Sequence, residues 1–407
     1  MVDELAVWLY GDCVATIDQE RNRPRLTYTR TALDRYELGT PLLSLSLPVR
    51  PERFSQGIVT PFLDGLLPEG QSRIAVADEF DLPPRDTFGM ISAIGRDCAG
   101  AVVIQPAEDA APPPPTTASA ERLSNEEIEQ LVRNLRTAPL GVDERVRLSL
   151  GGVQEKLLLT KMPDGSWGRP VDGTPSTHII KPELARFPGS VENEAFCMRV
   201  AKRLGLNVAD VDVFSIGSRN LLAVRRFDRI VHADGSLERV HQEDFCQAFG
   251  ILPENKYQER GGPSLKRIAQ AATDVAAQES VLELAKAMVL NSLVANGDAH
   301  GKNFSLLHEP SGTLRLAPLY DVLCTLHYGI DDLAMYVDNV HRVDRVTTAR
   351  LVNEIESWGV SRSGADALVS DLLEGSGDAI AAARDDTPGL PDEIFRTIER
   401  QRGQLLS

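Results

Sequence analysis

Cysteine is scarce in this 407-residue sequence, and the residues present show no pairing pattern. Cys13, Cys98, Cys197, Cys246 and Cys324 are odd in number, far apart and include no C-x-x-C. That is the pattern of free buried thiols in a reducing compartment, and it argues against a disulfide scaffold. Long uncharged apolar runs are missing as well, so nothing approaches the roughly 20 residues of a membrane span. The start, MVDELAVWLYGDC, lacks the basic region and apolar length of a signal peptide. The expectation is a cytoplasmic protein with no membrane contact. Basic residues are in deficit, 43 against 59 acidic, for a formal charge of −16. Non-specific nucleic-acid binding rests on Lys and Arg neutralising phosphates, so direct DNA contact is disfavoured. The seven histidines show no H-E-x-x-H or other ligand spacing, which argues against a zinc enzyme. Aromatics are few, but 42% of residues are hydrophobic and the length suffices for two to three domains without disulfides or structural metal.

The clearest boundary is the Pro/Ala/Thr tract QPAEDAAPPPPTTASAERLS at 105–124, read as an extended linker or exposed loop. Before it, ELAVWLYG, RLTYTR and PLLSLSLP read as strands, and VTPFLDGLLPEGQSRIAVADEF as helical. After it, Ser124 caps an amphipathic helix over NEEIEQLVRNLR. KLLLTK and THIIKPE read as strands. SVENEAFCMRVAKRLGL reads as a helix started by Ser190 and stopped by Gly205. LLAVRRFDRI is a further strand, and from about 264 the pattern is mostly helical. There is no internal repeat and no heptad pattern.

Ser280 to Val294 reads as one apolar helix, followed at once by NGDAHGKN, a dense polar cluster. Asp298 and Asn303 lie five positions apart. That is the spacing of the base and the Mg²⁺-binding asparagine in a kinase catalytic loop. A lone D-x-x-x-x-N also arises by chance, and a solvated turn capping a helix is the plain alternative. Asp321 in LRLAPLYDVL is either a helix cap or a carboxylate held at a strand end, where it would complete a Mg²⁺ site with Asn303. Upstream, LSLGGVQEKLLLT places a Gly pair before a strand, where backbone N–H groups can approach phosphate oxygens. It is not a Walker A motif. Lys181 ends a β-branched run, the place of a kinase lysine that contacts ATP phosphates, although a strand-end lysine also commonly snorkels at a surface. Glu192 or Glu194 on the next helix is positioned to pair with it, and the sequence does not choose between them. Their plain alternative is a solvated first helical turn. Gly-rich turn, strand lysine, helix with Glu, strand, connecting segment, Asp/Asn loop and downstream Asp follow the order a bilobal kinase requires.

These segments resemble the HipA family of serine/threonine kinase toxins from bacterial toxin–antitoxin systems. The resemblance is carried by GRDCAGAVVI, SLGGVQEK, IIKPE, ENEAFCMRVAKRLGL, RFDR, QEDFCQAFG, NGDAHGKNFSLL and LAPLYD. It implies an α+β, bilobal protein-kinase-like fold with a strand-rich nucleotide lobe and a helical C-terminal lobe, preceded by a small mixed α/β module. The module would span 1–107, a Pro-rich linker 108–123 and the kinase domain 124–407, divided into lobes at 124–245 and 246–407. It implies Asp298 as catalytic base and Asn303 and Asp321 as Mg²⁺ ligands. Lys181 would be the ATP-phosphate lysine. Gly151, Gly152, Val153, Gln154, Glu155 and Lys156 would form the phosphate loop. Glu243, Asp244 and Phe245 would meet the adenine through backbone groups, and His300, Gly301, Lys302 and Tyr320 would add nucleotide contacts. Ser149 matches the serine that family members autophosphorylate. A phosphate there would add nearly two negative charges to the ATP-binding loop and switch the kinase off.

The chain departs from ordinary protein kinases in carrying His300 two positions after the base, with the lysine later at Lys302, and YDV in place of D-F-G. Small differences around the family's Gly/Ala positions in SLGGVQEK bear on substrate access. The resemblance further implies a HipB-like helix-turn-helix antitoxin that carries the DNA contacts. It also implies a substrate in the translation machinery, such as an aminoacyl-tRNA synthetase. Two other readings are a nucleotide-binding regulatory module acting through an antitoxin–operator complex, and a small-molecule kinase of the aminoglycoside-phosphotransferase type. The intact Asp298, Asn303, Asp321 and Lys181 argue against the first, and the N-terminal module and Ser149 loop against the second.

Overall fold

The structure, a computed structural model, describes residues 3–20, 23–142, 147–152, 154–171, 173–275, 278–309 and 312–407. Val153 of the expected phosphate loop lies outside the described residues. The chain divides into two compact units, one of Met1–Pro182, Ser215–Arg219 and Ala223–Pro253, the other of Glu183–Phe214, Asn220–Leu222 and Glu254–Ser407.

The first unit opens with an antiparallel sheet in the spatial order Arg23–Tyr28, Asp12–Glu20, Glu4–Leu9, Val103–Pro106. Alternation sets its register: Leu5, Val7 and Leu9 point inward and are buried, and Leu5 pairs with Ile17. Two helices, Gln56–Leu66 and Gly70–Glu79, account for the helical reading of this stretch. PLLSLSLP is not a strand. It forms a turn closed by Ser44 and Leu47, because its polar groups bond elsewhere in the unit. Leu45 N donates to Glu243 Oε1 at 2.9 Å, and Ser46 Oγ to the Gln247 carbonyl at 2.8 Å.

A second sheet in this unit carries the strands Glu121–Arg122, Trp167–Arg169, Leu157–Lys161 and His178–Pro182, in that order. Residues that flank or build it, including Leu148, Leu150, Leu158 and Val171, join Leu5, Val7 and Ile17 in one apolar core. The helix Asn125–Asn134 carries a full capping box, Ser124 with Glu127. The Pro-rich tract carries no helix or strand over residues 110–115, and it is pinned at its far end. Thr117 N donates to the Gly235 carbonyl at 2.9 Å and Leu237 N to the Pro115 carbonyl at 3.1 Å, and Thr117 is fully buried.

The second unit is mainly helical. Ser190–Arg203 starts one residue after Gly189, which sits in the left-handed region at φ 73°. Ser190 is therefore the first helical residue and not the cap. Its hydroxyl accepts from Leu184 N. Gly205, at φ 75°, ends the helix as expected. Glu192 and Glu194 are buried, not solvated, and Glu192 Oε1 accepts from Asn220 Nδ2 at 2.7 Å. Gln278–Leu293 is the apolar helix of the sequence reading. It packs against Arg362–Asp385 and Asp392–Leu406. Each fully buried leucine such as Leu284 or Leu293 contributes about 2 kcal/mol of apolar burial. Two hairpins, Ser305–His308 with Leu314–Leu316 and Asp332–Val337 with Val340–Arg342, interrupt the helices.

Candidate active site

The polar cluster after Gln278–Leu293 is held in place by its own backbone. The helix ends on Ala295, which takes the left-handed position that glycine usually fills (φ 56°), and Asn296 N returns to the Asn291 carbonyl at 2.8 Å. Gly297 is next, with its N–H donating to Thr325 Oγ1 at 2.7 Å and its carbonyl accepting from Ala334 N at 2.7 Å. A Cβ on Gly297 would lie 2.5 Å from the Asp332 carbonyl oxygen, so only glycine fits. Asp298 emerges half-buried, its N–H donating to Asn296 Oδ1 at 3.1 Å. His300 N donates to the Asp298 carbonyl at 2.8 Å, and Gly301–Asn303 forms one short 3₁₀ turn. Asn303 Nδ2 then donates back to the Asp298 carbonyl at 3.3 Å. The five-residue spacing is therefore a closed structural unit.

Asn303, Tyr320 and Asp321 line one small, tight pocket together with Asn291 and Asn296. Tyr320 Oη donates to the Lys302 carbonyl at 2.6 Å and lies 2.7 Å from Ser305 Oγ, which ties the downstream segment to the loop. Asp321 is neither a helix cap nor at a strand end, since the preceding strand stops at Leu316. It sits in the left-handed region at φ 59°, a conformation that aspartate tolerates better than most residues. One carboxylate and amide oxygens on a common pocket are the hard-oxygen donors that Mg²⁺ takes when phosphates supply the rest, so this donor set fits the ion. Among the described residues no cluster of three or more His, Cys, Asp or Glu forms a closed protein cage for a metal.

The other expected nucleotide residues belong to the first unit. Leu157 pairs with Ile180 in the antiparallel strand pair, so Lys156 and Lys181, one residue beyond, stand at the same end of it. Both are buried. Lys156 Nζ donates to the Gly151 carbonyl at 2.7 Å, and Glu69 N to the Gly152 carbonyl at 3.1 Å. Gly152 has φ 114° and would place a Cβ 2.6 Å from Lys156 Nζ. Gln154 and Glu155 are half-buried loop residues. The Glu243 carboxylate accepts from Ser44 and Leu45 N, Asp244 caps the short helix Phe245–Ala248, and Phe245 is fully buried. The side chains of this segment are thus engaged in holding the fold. Ser149 is fully buried: its hydroxyl donates to the Leu66 carbonyl at 2.7 Å and its N–H to the Asp97 carbonyl at 3.0 Å.

Two features escaped the sequence reading. Tyr257 Oη donates to Asp298 Oδ1 at 2.9 Å. In the first unit, Asp97 and Asp228 are buried among Arg226, Arg229 and Arg239. Arg226 Nη2 lies 2.8 Å from Asp228 Oδ2, and Arg229 Nη2 lies 2.8 Å from Asp97 Oδ1. Burial alone would raise both aspartate pKa values, but the neighbouring arginines hold them below the ordinary carboxylate range. Ser176 also gives Asp97 Oδ2 two hydrogen bonds, from its N–H at 2.9 Å and its hydroxyl at 2.7 Å.

Two family models match the chain: the HipA N-terminal domain over residues 5–105 and the HipA-like C-terminal domain over 148–380. The chain belongs to the HipA family. It is 38% identical to Sinorhizobium fredii NGR234 "Putative kinase Y4mE", with 95% of this chain and 93% of that one covered. It is 31% identical to "Serine/threonine-protein kinase toxin HipA" of Shewanella oneidensis, covering 86% and 82%. Among solved structures it resembles HipA from the Shewanella oneidensis MR-1 toxin–antitoxin complex of HipA, HipB and operator DNA. That match has a TM-score of 0.83 at 26% identity and covers 99% of this chain and 96% of that one. The α+β fold that the resemblance implies is thus the HipA fold. No described helix of this HipA-family chain is long and apolar enough to cross a membrane.

Proposed function

We propose that this protein is an ATP- and Mg²⁺-dependent serine/threonine protein kinase that acts as a HipA-type toxin. The observation that carries the reading is the loop in which Asn303 closes back on Asp298 while sharing a pocket with Asp321. In the reaction, Asp298 accepts the proton of the acceptor hydroxyl as that oxygen bonds the γ-phosphorus. The bond to the β–γ bridging oxygen breaks, and ADP leaves with the electron pair. Asn303 and Asp321 would hold Mg²⁺, which when bound neutralises charge on the phosphate oxygens. Lys156 and Lys181, with Gly151 and Gly152, supply cationic and backbone groups for phosphate. His300, Gly301, Lys302 and Tyr320 complete the loop's nucleotide contacts, and the backbone of Glu243–Phe245 serves the adenine.

Ser149 is the proposed self-modification site. Its hydroxyl has no room for a phosphate where it lies, so modification requires residues 148–150 to leave their buried position. The likeness to a HipA solved with HipB and operator DNA supports a HipB-like antitoxin as partner. The charge of −16 suits a protein that reaches DNA through that partner. A translation component such as an aminoacyl-tRNA synthetase is the proposed substrate, and the buried free thiols suit the cytoplasm.

The test is intact mass of dephosphorylated protein before and after ATP and Mg²⁺, wild type beside Asp298→Ala, with peptide mapping. Phosphate on Ser149 in wild type only is the expected result. A wild type that gains no phosphate overturns the kinase reading in favour of a nucleotide-binding regulatory module.

A further inference from the structure

The carboxylate proposed as base is gripped by a residue from a distant part of the chain. Tyr257 Oη donates to Asp298 Oδ1 at 2.9 Å, and the tyrosine ring stands edge-on to His300, with centroids 5.4 Å apart and planes at 88°. Tyr257 is itself held on both sides. Gly301 N donates to the carbonyl of Lys256, and Tyr336 N donates to Gln258 Oε1 at 2.9 Å. Gly262 closes the same segment so tightly that a Cβ there would meet the Asn255 carbonyl oxygen at 2.6 Å. Tyr336 belongs to the strand Asp332–Val337, whose Ala334 N anchors the Gly297 carbonyl. Loop, tyrosine and strand thus form one frame around Asp298.

We infer that Tyr257 is the positioning residue of the phosphoryl-transfer site: its phenol fixes the Asp298 carboxylate by one oxygen and directs the acceptor hydroxyl to the other. An aspartate side chain rotates about two bonds, and a general base must lie within about 3 Å of the proton it takes in a defined direction. One charge-assisted hydrogen bond from a held phenol removes most of that freedom before substrate arrives. The tyrosine takes no proton and contacts no reacting atom. Removing its hydroxyl therefore slows the chemical step without weakening nucleotide binding.

The inference rests on the kinase reading, and the experiment separates the two. Full-length wild type, Tyr257→Phe and Asp298→Ala are compared by the initial rate of phosphate transfer from labelled ATP to the protein itself, over a range of ATP concentrations. Tyr257→Phe keeps the ring against His300 and is expected to lower the maximal rate about ten- to a hundredfold, with half-saturating ATP unchanged within twofold. In parallel, protein carrying ¹³Cζ-tyrosine is examined by NMR at neutral pH. The Tyr257 resonance, assigned by its loss in Tyr257→Phe, is expected to shift in Asp298→Asn, where the acceptor has lost its charge. A wild-type rate in Tyr257→Phe, with Asp298→Ala inactive, overturns the positioning role alone. An unmoved resonance in Asp298→Asn overturns the contact, and with it the inference, even if no variant transfers phosphate. Inactive wild type together with a shifted resonance sinks the kinase reading and so the role, while the contact stands.

Discussion

Asp97→Asn is isosteric, so it tests charge more than shape. Among the described residues the first unit buries Arg226, Arg229 and Arg239 around Asp97 and Asp228, so one cation is already in surplus. Removing the Asp97 charge leaves three guanidinium groups facing one carboxylate. The side chains of Arg226 and Arg229 are at most 2% exposed, so water cannot compensate. Breaking a buried pair in this way costs about 3–5 kcal/mol. Arg239 behaves differently. It sits at the edge of the cluster, reaches Asp97 only at 3.4 Å, and burial lowers its pKa to about 10 despite that partner. It is the least compensated cation, so Arg239→Leu is expected to cost no more than about 1 kcal/mol. In the Asp97→Asn background the same change should restore about 1–2 kcal/mol. Urea unfolding followed by tryptophan fluorescence reads these differences as midpoints. Because the folded aspartates titrate below the ordinary 3.8, their contribution is full above that pH and fades as pH falls from there towards their folded values. An unchanged midpoint for Asp97→Asn, or an Arg239→Leu as damaging as Asp97→Asn, would refute the reasoning.

Other outcomes are expected at single positions. Gly297→Ala should destabilise the second unit by about 1–3 kcal/mol and lower phosphate transfer, because its Cβ meets the Asp332 carbonyl; calorimetry and the transfer assay check both. Burial, then Lys161 and Arg225, push His178 down to about 4 from 6.5. Its neutral form favours the fold, so stability should be full above pH 6.5 and fall by up to about 3 kcal/mol between pH 6.5 and 4. His178→Gln should flatten that slope in pH-dependent melting. Ser149→Ala should keep initial kinase activity and abolish self-inactivation during incubation with ATP. Activity that decays as in wild type would remove Ser149 from that role.

The closed Asp298–Asn303 loop was legible because its information is local. The spacing of Asp298 and Asn303 and the apolar helix before them lie within one short stretch, and the hydrogen bond that closes the loop spans those same residues. Strand readings held where alternation met a partner, as at Leu5 and Val7. PLLSLSLP alternates equally well, yet its polar groups bond to Glu243 and Gln247, about 200 residues away, and no local pattern reports that. Tyr257 escaped for the same reason, being 41 positions before Asp298. The arginine–aspartate cluster escaped because charged residues default to the surface, and only three-dimensional pairing makes their burial tolerable. The same default supplied the solvated-turn alternative for Glu192 and Glu194, and their burial removes it.

The pinned Pro-rich tract bears on how this chain can be cut. Residues 110–114 are largely exposed, whereas the Pro115 carbonyl accepts from Leu237 N and Thr117 N donates to the Gly235 carbonyl. A protease should therefore nick the stretch before Pro115 and spare the pinned residues 115–117. The halves so produced would not part, since Leu5, Val7 and Ile17 from one side share a core with Leu148, Leu158 and Val171 from the other. The tract is thus a natural place to divide the protein into two separately expressed pieces that find each other again, with phosphate transfer reporting complementation.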